Sequence, residues 1–308
     1  MTIAPILVEM TRDGLVESIH RGHAVLLNQK GEVEKVFGNE NEIIYPRSAI
    51  KLAQATAMLK VGAKLENETL AISCASHSGE DLHTKLVKKM LENIGLSETD
   101  LQCPPDLPLD PKIQIEYLAK GNKPESVTMN CSGKHAGMLS ACVANNWSTK
   151  DYLKIDHPLQ KKVIETIEEL CQEEITKSSV DGCGAPLHAI SLIGLARMAR
   201  NAVLAEGNKA ERKVADAAKP FDYAYIVGTG SKVASVGVTT GGSNYTSTSN
   251  VTTYPITGSG TGFSASARVS PIVMFSIPAT AIISPGPADS AGTRSSACVT
   301  SNSTTFAF

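Results

Sequence analysis

A serine three residues ahead of a lysine, Ser48 and Lys51 in the run PRSAIKLAQA, combines a nucleophile with a base if the run is helical. Helix positions three apart are neighbours on one face, so an amine there can reach the hydroxyl. A serine hydroxyl is a poor nucleophile until a base takes its proton, and lysine serves once burial leaves its amine neutral. The helix start at Ser48 would also favour negative charge developing nearby. The expected chemistry is attack on an amide-type carbonyl through a covalent intermediate. As a bare pattern Ser-x-x-Lys is weak. Three glycine-flanked polar clusters strengthen it: CASHSGE at 74–80, NCSGKHAGM at 130–138 and DGCGAPLHA at 181–189. Each is read as lying where an apolar element meets a helix start, an arrangement that brings backbone amides and reactive groups close to a small ligand.

Within these clusters the residues leave alternatives open. Ser76 is a functional serine or the cap of the next helix, a cap that Ser78 could supply equally well. Asp181 is a site carboxylate or the start of an Asx turn before Gly182. Cys131 and Cys183, distant in sequence, read first as buried core thiols. A cysteine nucleophile made of Cys131 and His135 is a further reading, weakened because nothing orients the histidine. His77, His135 and His188 have the positions of core or turn histidines, and none is needed as a base.

The elements that must position these residues follow from pattern. Ile6–Met10, His23–Leu27 and Val33–Phe37 read as strands, the last two joined by a turn at Gln29–Gly31 into a hairpin. Ser48–Leu59 is Ala-rich and unbroken by Gly or Pro, a buried helix that Gly62 stops. Asp81–Gly95 is amphipathic, with Leu82, Leu86, Met90 and Leu91 on one face. Further helices are expected over Lys134–Asn145, Pro158–Glu174 and Leu187–Leu204. Helices after a strand hairpin predict an α+β arrangement.

Composition narrows the partners. Lys and Arg total 29 against 31 for Asp and Glu, so no basic field exists to draw in nucleic acid or an anionic membrane, and a small molecule is the expected partner. Seven cysteines, an odd number without paired spacing, fit reduced thiols in a cytoplasmic setting. The first ten residues lack the basic start of a secretory leader, and no apolar run is long enough for a membrane span.

With these clusters in this order and spacing, the chain resembles the asparaginase II family, the thermolabile, rhizobial-type asparaginases. SHSGE, NCSGKHAGML and DGCGAPLHA carry the likeness, which runs from about Pro5 to Ser231. The resemblance implies a serine β-lactamase-like fold, helices packed on an antiparallel sheet, and hydrolysis of L-asparagine to L-aspartate and ammonia. By position it implies Ser48 as nucleophile, Lys51 as base, Ser76 as a second active-site serine, and Asp181 as the carboxylate that orients the serines or holds the substrate's ammonium. Arg47, His77 and Gly133 make up the substrate-binding set. Cys131, Lys134 and Cys183 match positions that hold zinc, there to shape the pocket. No organic cofactor is implied, and a homodimer is compatible with the likeness.

Residues 1–231 are therefore read as the catalytic domain. Residues 232–308 differ in kind: after Lys232 the only charged residues are Arg268, Asp289 and Arg294. Two readings of this Ser/Thr/Gly-rich stretch stay open, a flexible polar tail or sequence translated out of frame beyond about Ser231. The resembled pattern also carries a second lysine beside the site on a later, sheet-closing strand. No lysine follows Lys232 here, so that lysine and those strands are expected to be missing or replaced, and activity weak or absent.

Overall fold

The computed structural model describes residues 4–28 and 30–218, together with the backbone of four short strands further on. The chain opens with β1 (Ile6–Arg12) and β2 (Leu15–Arg21), an antiparallel hairpin. Its turn is Asp13-Gly14, both at positive φ (48° and 80°), the backbone that a two-residue hairpin of the right twist requires. β2 was not expected from pattern, although Asp-Gly between apolar residues is its signal. β3 (His23–Leu27) and β4 (Val33–Phe37) form the expected second hairpin. The two-residue β5 (Ile43–Ile44) then leads into a 3-10 turn, Arg47–Ile50.

The expected helix at Ser48 begins later. α1 spans Lys51–Lys60, and Ser48 belongs to the 3-10 turn ahead of it. α1 is buried nearly all round, which its run of alanines permits. It lies between two apolar cores: Met58 and Ala55 contribute to one, Ala53 and Ala57 to the other.

The first core is built by α2 (Asn67–Ser73), α3 (Asp81–Glu92) and α5 (Ser132–Ala144), with α4 (Pro111–Ala119) outside it. α5 can lie close to the end of α2 only because Gly133 has no side chain: a Cβ there would stand 2.6 Å from the Ile72 carbonyl oxygen. The second core is built by α6 (Pro158–Cys171), α7 (Leu192–Leu204) and β3. Between α6 and α7 the chain forms β6 (Lys177–Val180) and β7 (Pro186–Ser191), and α8 (Ala210–Ala217) follows.

β7 corrects the expected helix over Leu187–Leu204. Its six residues are all buried, and it runs antiparallel between β5 and β6. A short strand covered on both faces has no alternation, so its apolar run reads like the helix that follows it. Ser191 ends the strand and caps α7, its hydroxyl accepting from the Gly194 amide at 2.9 Å.

The last strands are β8 (Thr252–Ile256), β9 (Ala265–Val269), β10 (Val273–Ser276) and β11 (Thr305–Ala307). β8 pairs with β9, while β10 pairs with β3, so one sheet has the order β11-β10-β3-β4. Val273–Ser276 thus lies beside β3 and Thr305–Ala307 beyond it, where sheet-closing strands were expected to be missing or replaced. Apart from these strands, the readings of 232–308 lie outside the described residues. The architecture is mixed α and β, with helices and small antiparallel sheets. Among the described residues no helix is long and apolar enough to cross a membrane.

Candidate active site

Four segments meet at the start of α1. The 3-10 turn supplies Arg47 and Ser48, and α1 supplies Lys51 as its first residue. The loop after α2 supplies Ser76 and His77, the start of α5 supplies Cys131, Gly133 and Lys134, and the turn before β7 supplies Asp181 and Cys183. The third cluster therefore precedes a strand, not a helix as expected.

The expected direct contact between Ser48 and Lys51 is replaced by a relay. Lys51, only 2 % exposed, donates from Nζ to the Ala75 carbonyl at 2.6 Å and to Ser76 Oγ at 2.6 Å. Ser76 Oγ in turn donates to Ser48 Oγ at 3.0 Å. The loop 74–80 lies against the first turn of α1, and its two oxygens draw the amine away from the residue three positions back. Ser48 stands at the exposed end of this chain of polar atoms, where a ligand can reach it.

Ser76 does not cap α3. The cap position is Glu80, and Ser78 bonds to Glu80 and His83, so both cap readings fail. The loop is tied to α5 twice. The His77 amide donates to the Asn130 carbonyl at 3.0 Å, and His77 Nε2 lies 2.7 Å from Ser132 Oγ. Ser132 spends its own proton on the Val127 carbonyl at 2.8 Å, so His77 Nε2–H is the donor to it. Burial, with His83 and Lys51 nearby, depresses His77 to about 3, which keeps it neutral.

Asp181 Oδ1 accepts from the adjacent Gly182 amide at 2.8 Å, one residue short of the bond that makes an Asx turn, and pairs with Arg47 Nη2 at 2.8 Å. Arg47 makes this contact from a left-handed backbone, φ 49°, a strained conformation for a long side chain. The ion pair places a cation and an anion beside Ser48.

Cys131, Lys134 and Cys183 converge as well, all buried. Lys134 Nζ donates to Cys183 Sγ at 3.0 Å, and Cys131 donates to Asn130 Oδ1 at 3.0 Å. A hydrogen bond from Cys183 holds the Cys131 thiol well below its ordinary range against burial, with Lys51 and Lys134 reinforcing the shift. The same bond, with burial, pushes Cys183 up. Burial pulls Lys134 down, but the neighbouring Cys183 and Cys131 outweigh it and the amine is raised.

His135 does not serve Cys131. His135 Nδ1 instead lies 2.8 Å from Tyr152 Oη, which accepts from the Gln102 amide at 3.0 Å. Sequence reasoning had no signal for Tyr152, which reaches the site from 17 residues beyond His135.

The family model described as L-asparaginase II matches residues 8–243, extending twelve residues past Ser231, where the resemblance was read as ending. A search of curated proteins found no match.

Proposed function

The chain belongs to the L-asparaginase II family, and from that membership we propose that it hydrolyses L-asparagine through an ester on Ser48. The observation that supports this reading is the unbroken path from Ser48 through Ser76 to Lys51. With Lys51 neutral, both hydroxyls turn. Ser48 then donates to Ser76, Ser76 donates to the amine's lone pair, and the Ala75 carbonyl keeps one N–H of the amine in place. Ser48 Oγ attacks the side-chain carboxamide carbon while its proton passes along the relay to Lys51. Collapse of the tetrahedral intermediate breaks the C–N bond, and the proton held by Lys51 returns to the departing nitrogen as ammonia. Water then opens the β-aspartyl ester by the same path in reverse. Arg47 and Asp181 suit the carboxylate and ammonium of an α-amino acid, one charge each. The proposed fold is the serine β-lactamase-like one, in which such a turn precedes a buried central helix.

Zinc is part of the proposal. Two sulfur donors and an amine converging in a buried pocket fit the ion in kind, provided Lys134 gives up its proton. Cys131, Cys183 and Lys134 would hold it, and it would supply a fixed positive charge that shapes the pocket.

The test is ammonia release from asparagine by the wild type, Ser48→Ala and Ser76→Ala, with peptide mapping of the trapped ester. The proposal expects the ester on Ser48, and an active Ser48→Ala variant would sink it. A second reading makes Ser76 the nucleophile, because Ser76 is the hydroxyl that Lys51 touches; an ester on Ser76 would establish that instead. Competition among asparagine, glutamine and a β-lactam separates asparaginase from a glutaminase or a penicillin-recognising acylase. Turnover is expected to be weak, because no second lysine follows Lys232. An inert chain that shifts its melting with asparagine or zinc would be a binding remnant.

A further inference from the structure

Ser76 joins Lys51 to Ser48 over contacts of 2.6 and 3.0 Å, and it does so from a loop, not from a helix or strand. A relay of that kind works only if the loop is held to a fraction of an ångström. The residue after Ser76 is fastened for this. His77 is 0 % exposed, and two of its groups are tied to the segment leading into α5: its amide to the Asn130 carbonyl at 3.0 Å and its Nε2–H to Ser132 Oγ at 2.7 Å. Its Nδ1 is buried as well. Ser132, the first residue of α5 and equally buried, is fixed in its turn. Its amide donates to the Met129 carbonyl at 2.9 Å and its hydroxyl to the Val127 carbonyl at 2.8 Å. Further along, the loop is clasped from another side. The Asp110 amide donates to the Ser78 carbonyl at 3.1 Å, and a Cβ on Gly79 would stand 2.7 Å from the Pro108 side chain. Of these ties, the His77 bonds act at the residue next to Ser76.

We propose that Ser132 and His77 are positioning residues for the relay: Ser132 anchors the His77 ring, and His77 sets Ser76 Oγ between Lys51 and Ser48. His77 takes this part in place of the substrate contact that the resemblance implied, because a side chain with no exposed surface is built as a support. The consequence for turnover rests on the asparaginase reading; the geometry does not. Ser132→Ala removes the acceptor of Nε2–H without changing charge and leaves a buried donor unpaired. The ring then shifts to find another partner and takes Ser76 with it. Hydrogen bonds weaken steeply with distance and angle, so proton transfer along the relay slows. Arg47 and Asp181, which face the substrate's charges, belong to other segments and stay in place.

The test compares the full chain as wild type, Ser132→Ala and Ser132→Thr, the last keeping the hydroxyl, well below their melting temperatures. Ser132→Ala should lower kcat for ammonia release about 10²-fold with KM little changed, and Ser132→Thr should restore most of it. A lower melting temperature with kcat intact would make Ser132 scaffold alone and overturn the proposal. A rise in KM with kcat intact would also overturn it, as would recovery of Ser132→Ala on adding zinc, since the loss would then belong to the neighbouring Cys131. Modification of Ser48 by diisopropyl fluorophosphate, followed by mass, reads the relay without asparagine. It should be slower in Ser132→Ala; equal rates, or a wild type that is never modified at Ser48, would overturn the proposal. A wild type that is modified there, more slowly in Ser132→Ala, yet releases no ammonia would sink the asparaginase reading and leave this one standing. Should Ser132→Thr fail to fold, the NMR spectrum of the histidine nitrogens decides. The wild type should show His77 protonated on Nε2 with slow exchange that Ser132→Ala loses, and a proton on Nδ1 would overturn the proposal.

Discussion

Arg47 holds Asp181 at 2.8 Å from a backbone that few arginines adopt, φ 49°. The pair links the turn before α1 to the turn before β7, which no local interaction could do. As a partly exposed ion pair it contributes little to stability, about 0.2–1 kcal/mol. The strain is therefore better explained by where it puts two opposite charges, beside Ser48. Arg47→Ala should raise KM for asparagine about tenfold or more with a smaller loss in kcat, while the urea midpoint moves little. Equal losses in kcat and stability would assign Arg47 to the scaffold.

Lys51→Met tests the buried amine. Methionine approximates its length without the amine, and replacing a buried polar group by an apolar side chain of similar volume keeps the packing around α1. Activity should fall by roughly 10²–10⁴-fold while melting temperature holds or rises. A variant that melts far lower would mean that the bonds to Ala75 and Ser76 hold the loop in place.

The buried histidines predict acid sensitivity. Burial lowers His77 to about 3 and His188 to about 4, and it also lowers His83 and His135. Between those values and the unfolded value of about 6.5, the unfolded chain binds protons that the folded chain does not, so stability rises with pH. The contribution is complete above about pH 6.5 and is lost as pH falls towards about 4, at a cost of up to about 2 kcal/mol per histidine by pH 5. Urea titrations at pH 7 and pH 5 should show the loss, and His188→Asn should reduce the slope. An unchanged midpoint would contradict the buried neutral state.

Gly133→Ala should destabilise by about 1–3 kcal/mol, because the added methyl meets the Ile72 carbonyl at 2.6 Å and backbone cannot swing aside. Gly207→Ala, with open space around it, serves as comparison: any cost there comes from its positive φ alone. If Gly133→Ala melts normally but loses affinity for asparagine, Gly133 acts on the ligand and not on the helix packing.

Much of the scaffold was legible in the residues. The strands His23–Leu27 and Val33–Phe37 matched their expected bounds, and the Asp81 helix its expected start, because alternation and 3.6-residue spacing are local properties. The polar clusters marked which segments gather at the site, because glycine, serine and cysteine are placed there by backbone needs that show in the chain itself. Residue order did not decide that Lys51 touches Ser76 and not Ser48, that Leu187–Ser191 is strand, or that Tyr152 orients His135. Those outcomes depend on segments packing against one another from a distance along the chain: 17 positions for His135 and Tyr152, 25 for Lys51 and Ser76, and 148 for Ile43 and its partner Ser191. Such contacts follow from how two cores close around α1, and that closure leaves no periodic trace in the chain.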